Sequence, residues 1–335
     1  MAFANTNVSD LIATGIESRT GEIADNVTSN NALLAQLKKK GRIKFVSGGT
    51  SILEELSFAQ NGNGGLYSCA DLLPVQSADV ISAASYTFKQ YAVPVIVTGL
   101  ELLQNSGKER VIDLVEARLE VAEATMANDI NVGLYSDGTG SGGKQITGLD
   151  AAVPTTAHDT QTDTYGGITA AATGVTTFWR SQTTTGVDIS SGTKCQTVMN
   201  TQWATQVRGS DRPDLIIMDQ VYWADYMASL QAIQRFTDPG SADLGFPTIK
   251  FITADVVLDP TSGLGAGSGA TTKTAYFLNT KYLRFRPHKD RNFVPLAPNK
   301  RYAVNQDIEC QILAWAGNLT CNGRQFQGRS IATST

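Results

Sequence analysis

The sequence predicts an α+β fold in which extended strands and one very long helix set the architecture. Three observations carry this. An alternating run from Ala84 to Val97 reads as a long strand that meets Gly99, and a helical pattern from Lys108 to Tyr135 follows at once. At 1.5 Å per residue that helix is about 42 Å long, well past the usual three or four turns. Farther on, Asp214-Leu215-Ile216-Ile217-Met218 reads as a fully buried strand that passes through Asp219 into a second helix, a strand–helix unit. A helix that long among strands and loops is more often a mechanical spine than a catalytic element.

Composition narrows the class. The 335 residues leave room for more than one packed core. Charged residues are 17% of the chain, against a usual ~25%. With 31 glycines and abundant Thr, Ser, Asn and Gln, the chain is strand-friendly and rich in turn chemistry. A net charge of −4 disfavours binding DNA through phosphate neutralisation. Met1-Ala2-Phe3-Ala4-Asn5-Thr6 has neither the basic region nor the apolar run of a secretory signal, and no stretch has the length of a membrane span. Cys69, Cys195, Cys310 and Cys321 are too scattered for a disulfide framework, so folding in a reducing cytoplasm is expected. With Gly317-Asn318 read as a hairpin turn, Cys310 falls opposite about Gln325, so Cys310 and Cys321 are poorly placed for a bridge.

Residues 1–29 are polar and read as a loosely ordered arm. Asn30 or Asn31 caps a short helix through Leu33, Leu34 and Leu37, and Gly41 ends it. Lys38-Lys39-Lys40 sit on the negative end of that helix, either compensating its dipole or contacting a partner or nucleic acid. From Arg42 to Gln90 the chain reads as one long hairpin. Its first arm is Ile43–Val46 and Ser51–Ala59, and its turn is Asn61-Gly62-Asn63-Gly64-Gly65. The return arm alternates at Ala84, Tyr86 and Phe88, slips phase at Gln90-Tyr91 as a bulge does, and carries Pro94 as an edge strand does. Such a hairpin cannot bury itself and must lie on something else, most plausibly another copy.

The long helix has two faces. Val111, Leu114, Val115, Leu119, Ala122, Met126 and Ile130 form an apolar stripe, and Glu109, Asp113, Glu116, Glu120 and Glu123 an acidic row. The row is either a solvated face or a dock for basic residues of another chain. A glycine run, Gly138 to Gly143, stops the helix. Residues 150–200 are poorly periodic until a helix at about Lys194–Val207. The second helix runs from the Asp219 cap to Phe236. Strands follow at Phe246–Phe251 and Val256–Leu258, then a glycine loop (Gly263–Gly269), then closing strands at Thr274–Arg286, Tyr302–Ala316 and Asn318–Ser330.

No motif assembles into a catalytic set. Gly138-Thr139-Gly140-Ser141-Gly142-Gly143-Lys144 starts like a phosphate-binding loop, but Gln145 stands where Ser or Thr is needed and a helix precedes it. His158 lies in the least ordered-looking stretch, and His288 adjoins Arg286, Lys289 and Arg291. The cysteines lack zinc-site spacing. No enzyme activity, metal or cofactor is expected.

The stretch from Val304 to Cys321, ending in Asn322-Gly323-Arg324-Gln325-Phe326-Gln327-Gly328, is the most specific. A Trp315-Ala316-Gly317-Asn318-Leu319 turn closed by an Arg324-to-Gly328 strand resembles the C-termini of tailed-bacteriophage major capsid proteins. The element order is also similar over essentially the whole chain. The resemblance implies an α+β fold of the Hong Kong 97 type. Residues 1–42 are then an N-terminal arm, 43–90 the E-loop, and 91–150 with 275–316 the peripheral domain carrying spine helix 108–135. Residues 151–274 are the axial domain and 317–335 a C-terminal strand and tail. It further implies a virion shell subunit, assembled in the host bacterial cytoplasm into pentamers and hexamers around double-stranded DNA without sequence-specific contact. A separate scaffolding protein, a portal and a decoration protein are the implied partners, because the arm begins too near Met1 for a built-in scaffold. Inter-subunit contacts are expected at Asn61, Gly62, Asn63, Gly64, Gly65 and Leu66, at Glu116 and Glu120, and at Lys38, Lys39 and Lys40. The type member's lysine–asparagine crosslink does not carry over, since Lys44 and Lys89 lie at the hairpin base and its tip has no lysine. Encapsulin shells share the fold, which leaves a bacterial nanocompartment shell as the alternative, and a cytosolic α/β enzyme on the 214–236 unit as a third reading.

Overall fold

The computed structural model describes residues 31–69, 71–72, 75–77, 79–104, 108–230, 248–259, 273–296, 301–302 and 307–333; for 102–104, 108–117, 248, 301–302 and 309 it gives the backbone alone. The expected arm 1–29, the helix end at Phe236 and the glycine loop Gly263–Gly269 lie outside these residues.

Helix α1 (Ala32–Lys39) starts where a cap was expected: Asn31 Oδ1 accepts from Leu34 N at 3.0 Å. Lys38 and Lys39 fall in its last turn, and Gly41 follows at φ +66°. Ile43 and Val46 do not belong to the hairpin. They bridge in parallel to Phe285 and His288. The hairpin itself is β1 (Ile52–Ser57) against β2 (Ile81–Tyr86), antiparallel from Ile52↔Tyr86 to Ser57↔Ile81.

The single strand expected from Ala84 to Val97 is two strands in two sheets. After β2 the chain breaks at Thr87-Phe88, and β3 (Lys89–Thr98) pairs with the strand Ile308–Cys321. The Thr87 carbonyl is taken by Asn318 Nδ2 at 2.9 Å instead of a ladder partner, so the phase change is a change of sheet and no bulge at Gln90-Tyr91. β3 is an edge strand, which suits the missing N–H of Pro94. Helices α2 (Gly99–Gln104) and α3 (Lys108–Tyr135) follow. α3 has the expected bounds and buries Leu119, Ala122, Met126, Ile130 and Leu134 at helical spacing. The side chains of Val111, Leu114 and Val115 lie outside the described ones. Asn131 on α3 accepts a hydrogen bond from Asn31, tying α1 to the spine.

Beyond the glycine run come β4 (Thr164–Tyr165), β5 (Ile168–Thr169), β6 (Gln182–Val187), α4 (Gly192–Gln206), β7 (Leu215–Met218) and α5 (Gln220–Ser229). Asp219 caps α5, its carboxylate accepting from Val221 N at 3.3 Å. Then follow β8 (Thr248–Phe251), β9 (Ala254–Leu258), β10 (Thr274–Leu278), β11 (Leu283–Pro295), β12 (Arg301–Tyr302), β13 (Ile308–Cys321) and β14 (Gly328–Ala332). A six-stranded mixed sheet has the order β6-β14-β10-β7-β9-β8. In the other large sheet β13 is central, with β11 and β12 on one side and β3 on the other. All four residues of β7 are buried, and they alternate between two cores. Ile216 and Met218 join Cys195, Met199, Tyr222 and Tyr226 under α4 and α5, while Leu215 and Ile217 join the core around α3.

The C-terminal strands differ from expectation in a consistent way. Gly317-Asn318 is no turn, because β13 runs straight through it, pairing Gly317 with Pro287 and Lys89. A Cβ at 317 would stand 2.7 Å from the Arg286 carbonyl oxygen and 2.7 Å from Trp315 Cζ2, so glycine serves close packing here. Asn318 instead accepts from Thr147 N at 3.0 Å and donates to Thr87. Cys310 and Cys321 therefore lie along one strand, and all four cysteines are free. Thr274–Arg286 divides between two sheets, β10 entering the six-stranded sheet and β11 the other. Arg324–Phe326 is a 3-10 turn rather than strand, before β14. Consequently 274–278 and 328–332 lie in the same sheet as β7. The two edges of β7 are covered by β10, antiparallel, and β9, parallel.

Buried arginines lock this region. Arg324 donates to the carbonyls of Ala152 (2.7 Å) and Trp179 (3.2 Å) and pairs with Asp163. Arg329 pairs with Asp150 at 2.7 Å. Both side chains are fully enclosed.

Candidate interaction surface

The hairpin β1–β2 forms a sheet of its own, so no backbone ladder joins it to the rest of the molecule. Side chains hold its base. Alternation on β1 turns Ile52, Glu54 and Leu56 inward and Leu53, Glu55 and Ser57 outward. On β2, Ala84 and Tyr86 are buried. Ile52, Leu56, Ala84 and Tyr86 pack into the main core. The Tyr86 hydroxyl donates to the Cys321 carbonyl at 2.5 Å, and its ring meets Tyr165 edge-on at 5.3 Å. Burial raises the Tyr86 phenol well above its ordinary pKa. Ser85 N donates to Gly166 O at 2.8 Å, and Phe58 stacks on Phe178 at 5.8 Å.

Glu54 is buried to 2% exposure and meets Arg284, Arg286 and Thr320. The sequence reading overlooked it, although the alternation at Ile52-Leu53-Glu54-Glu55-Leu56 puts this carboxylate on the inward face.

Past Phe58 the chain leaves its support. The predicted turn is present: Asn63 N donates to Asn61 Oδ1 at 3.0 Å, Gly64 N to Asn61 O at 3.4 Å, and Asn63 Nδ2 reaches Gln76 O on the returning arm. Leu66, Leu72 and Val75 are almost wholly exposed, and Tyr67 and Ile81 more than two-thirds so. Scattered exposed leucines are ordinary; here five large apolar side chains stand exposed on one segment.

The other expected contact residues are not gathered at this tip. Lys40 Nζ donates to the backbone and carboxylate oxygens of Asp214, both at 2.8 Å, fastening α1 to the start of β7. Lys38 and Lys39 are exposed. Glu120 is exposed on α3, whereas Glu123 is buried, so the acidic row is not one uniform solvated face. The side chain of Glu116 lies outside the described ones.

The His158 ring is not in a disordered stretch; Nδ1 lies 2.8 Å from Ser181 O. His288 packs edge-on to Phe88 and accepts from Asp290 N. Burial pushes the Cys195 and Cys321 thiols up to about 12, the reverse of a reactive thiolate. One cleft of about 390 Å³ lies between β3 and the end of α3, and another of about 300 Å³ at the hairpin base; neither is lined by a histidine or cysteine. Among the described residues no cluster of His, Cys, Asp and Glu is arranged to hold a metal ion, and no helix is long and apolar enough to cross a membrane.

No protein-family model and no curated protein sequence matches the chain. Solved structures do. The chain is similar to the capsid asymmetric unit of cyanophage A-1(L), at 18% identity over 88% of this chain and 91% of the other, with a TM-score of 0.64. It is also similar to a structure from Mycobacterium phage Bobi (8% identity, 88% and 90% covered, TM-score 0.54). The capsid of a native GTA particle is a third (10% identity, 88% and 89% covered, TM-score 0.53). With its projecting hairpin, spine helix and two large sheets, the chain has the α+β fold of phage capsid subunits, the Hong Kong 97 type.

Proposed function

We propose that this chain is the major capsid protein of a tailed bacteriophage, a structural subunit that self-assembles into the pentamers and hexamers of an icosahedral head. The observation that carries the reading is the hairpin, which is anchored at its base and unsupported beyond Phe58, on a fold shared with capsid subunits. Its outer apolar side chains are worth about 1.5–3 kcal/mol each when buried, so a few per subunit sum to a stable contact. The net charge of −4 suits a wall that encloses double-stranded DNA without gripping it. The shell forms in the host cytoplasm with a separate scaffolding protein, a portal and a decoration protein as partners. The peripheral region contains α3 and the β13 sheet, and the axial region contains β7 to β9 with α4 and α5. Glu116 and Glu120, with Lys38 and Lys39, are the proposed charged contacts between copies.

The test is to replace residues 60–79 by Asn-Gly, closing the hairpin just past Phe58. The melting temperature of the dissociated subunit should move by only a few degrees while particle formation is lost. Loss of the fold itself would show that the tip packs within its own chain and would overturn the reading.

A further inference from the structure

We propose that Glu54 is the positioning residue that fixes the direction in which the hairpin leaves the subunit, and so which neighbouring copy it reaches. This rests on the shell-subunit reading above. The hairpin shares no ladder with either large sheet, so its direction depends on a few point attachments, the Ser85 N–Gly166 O bond and a set of side-chain contacts. Asn322 Nδ2 donates to Glu55 O at 3.4 Å, and two further side-chain hydrogen bonds pin adjacent points. Tyr86 of β2 reaches the carbonyl of Cys321 and Glu54 of β1 reaches the hydroxyl of Thr320, consecutive residues at the end of β13. Glu54 makes the firmer attachment. Its Oε1 accepts from Arg286 Nε at 2.7 Å, Arg286 Nη2 at 2.6 Å and Thr320 Oγ1 at 2.9 Å, while Oε2 accepts from Arg284 Nη1. Arg286 holds Oε1 through two nitrogens and Arg284 holds Oε2, so both oxygens of the one carboxylate are fixed by charge-assisted bonds.

Geometry makes this a bearing rather than glue. Arg284 pairs with Thr320 across the β11–β13 ladder, and Arg286 lies on β11, so the three donor residues sit on one sheet. Glu54 stands three residues before the end of β1, beyond which the hairpin is exposed. A small rotation at this point becomes a large displacement at the tip. Hydrophobic contacts at Ile52 and Leu56 hold the hairpin down but are non-directional; the carboxylate supplies direction.

The experiment compares wild type, E54Q and T320V as full-length chains, reading hydrogen exchange on the dissociated subunit and then particle yield and diameter by electron microscopy. E54Q should raise exchange at least tenfold in 52–57 and 81–86 and leave β7 and β10 unchanged, with fewer and less uniform particles. T320V, which keeps both ion pairs, should raise hairpin exchange only a few-fold, and it decides the matter if E54Q does not fold. Unchanged hairpin exchange, or acceleration spread equally through β7 and β10, overturns the proposal. Normal particles from an E54Q chain with a loosened hairpin would overturn it alone, whereas failure of wild type to form any particle would overturn the shell reading and this proposal with it.

Discussion

Asp259 gives a prediction whose size follows from its surroundings. The residue directly follows β9, is 5% exposed, and receives a hydrogen bond from the hydroxyl of Tyr135 at the end of the spine helix. Burial raises its carboxyl from 3.8 to about 6, against the lowering effect of the Tyr135 bond. Between about pH 4 and pH 6 the folded chain therefore holds a proton that the unfolded chain has released. Stability contributed by this group is present at low pH and is lost as pH rises through about 6. The loss is about 3 kcal/mol, since each pKa unit is worth about 1.4 kcal/mol. Asp259→Asn keeps an acceptor for Tyr135 and removes the ionisation. Urea unfolding of the dissociated subunit from pH 4 to pH 8 should show the variant equal to wild type near pH 4 and up to about 3 kcal/mol more stable at pH 7. Glu101, held at about 2 chiefly by Arg118, is the same in both chains and cancels in the comparison. A variant less stable than wild type at pH 7, or a difference that does not change with pH, would refute this account of the interface between α3 and the six-stranded sheet.

Gly317→Ala should destabilise the subunit by about 2–3 kcal/mol, because the added methyl meets the Arg286 carbonyl and the enclosed Trp315 ring; thermal unfolding of the dissociated subunit is the check, and an unshifted melting temperature contradicts it. Glu116→Gln with Glu120→Gln should slightly stabilise the helix and slow or misdirect assembly, more at low than at high salt, as followed by light scattering. Assembly with unchanged rate and salt dependence would reduce these carboxylates to a solvated face.

Elements set by local chemistry were legible. The bounds of α3 follow from apolar spacing ended by a glycine run, α1 from the Asn31 cap, and the hairpin tip from Asn61 to Gly65. Features set by distant partners were not. Alternation from Ala84 to Val97 is nearly continuous, and only Asn318, far along the chain, reveals the change of sheet at Thr87. Gly317-Asn318 has turn chemistry, yet the approach of the β11 backbone decides its role. The inward face of β1 was readable, but the arginines that make Glu54 an anchor lie 230 and 232 residues away. Likewise β10 pairs with β7, and β14 with β10, through pairings that no local pattern encodes.

The central claim is assembly into a closed shell through the projecting hairpin. Electron microscopy of the purified full-length chain, alone and with a scaffolding protein, addresses it most directly. The account predicts closed particles of uniform diameter with density for residues 58–80 lying against a neighbouring copy. A chain that stays monomeric at every salt and protein concentration, with or without scaffold, would contradict it.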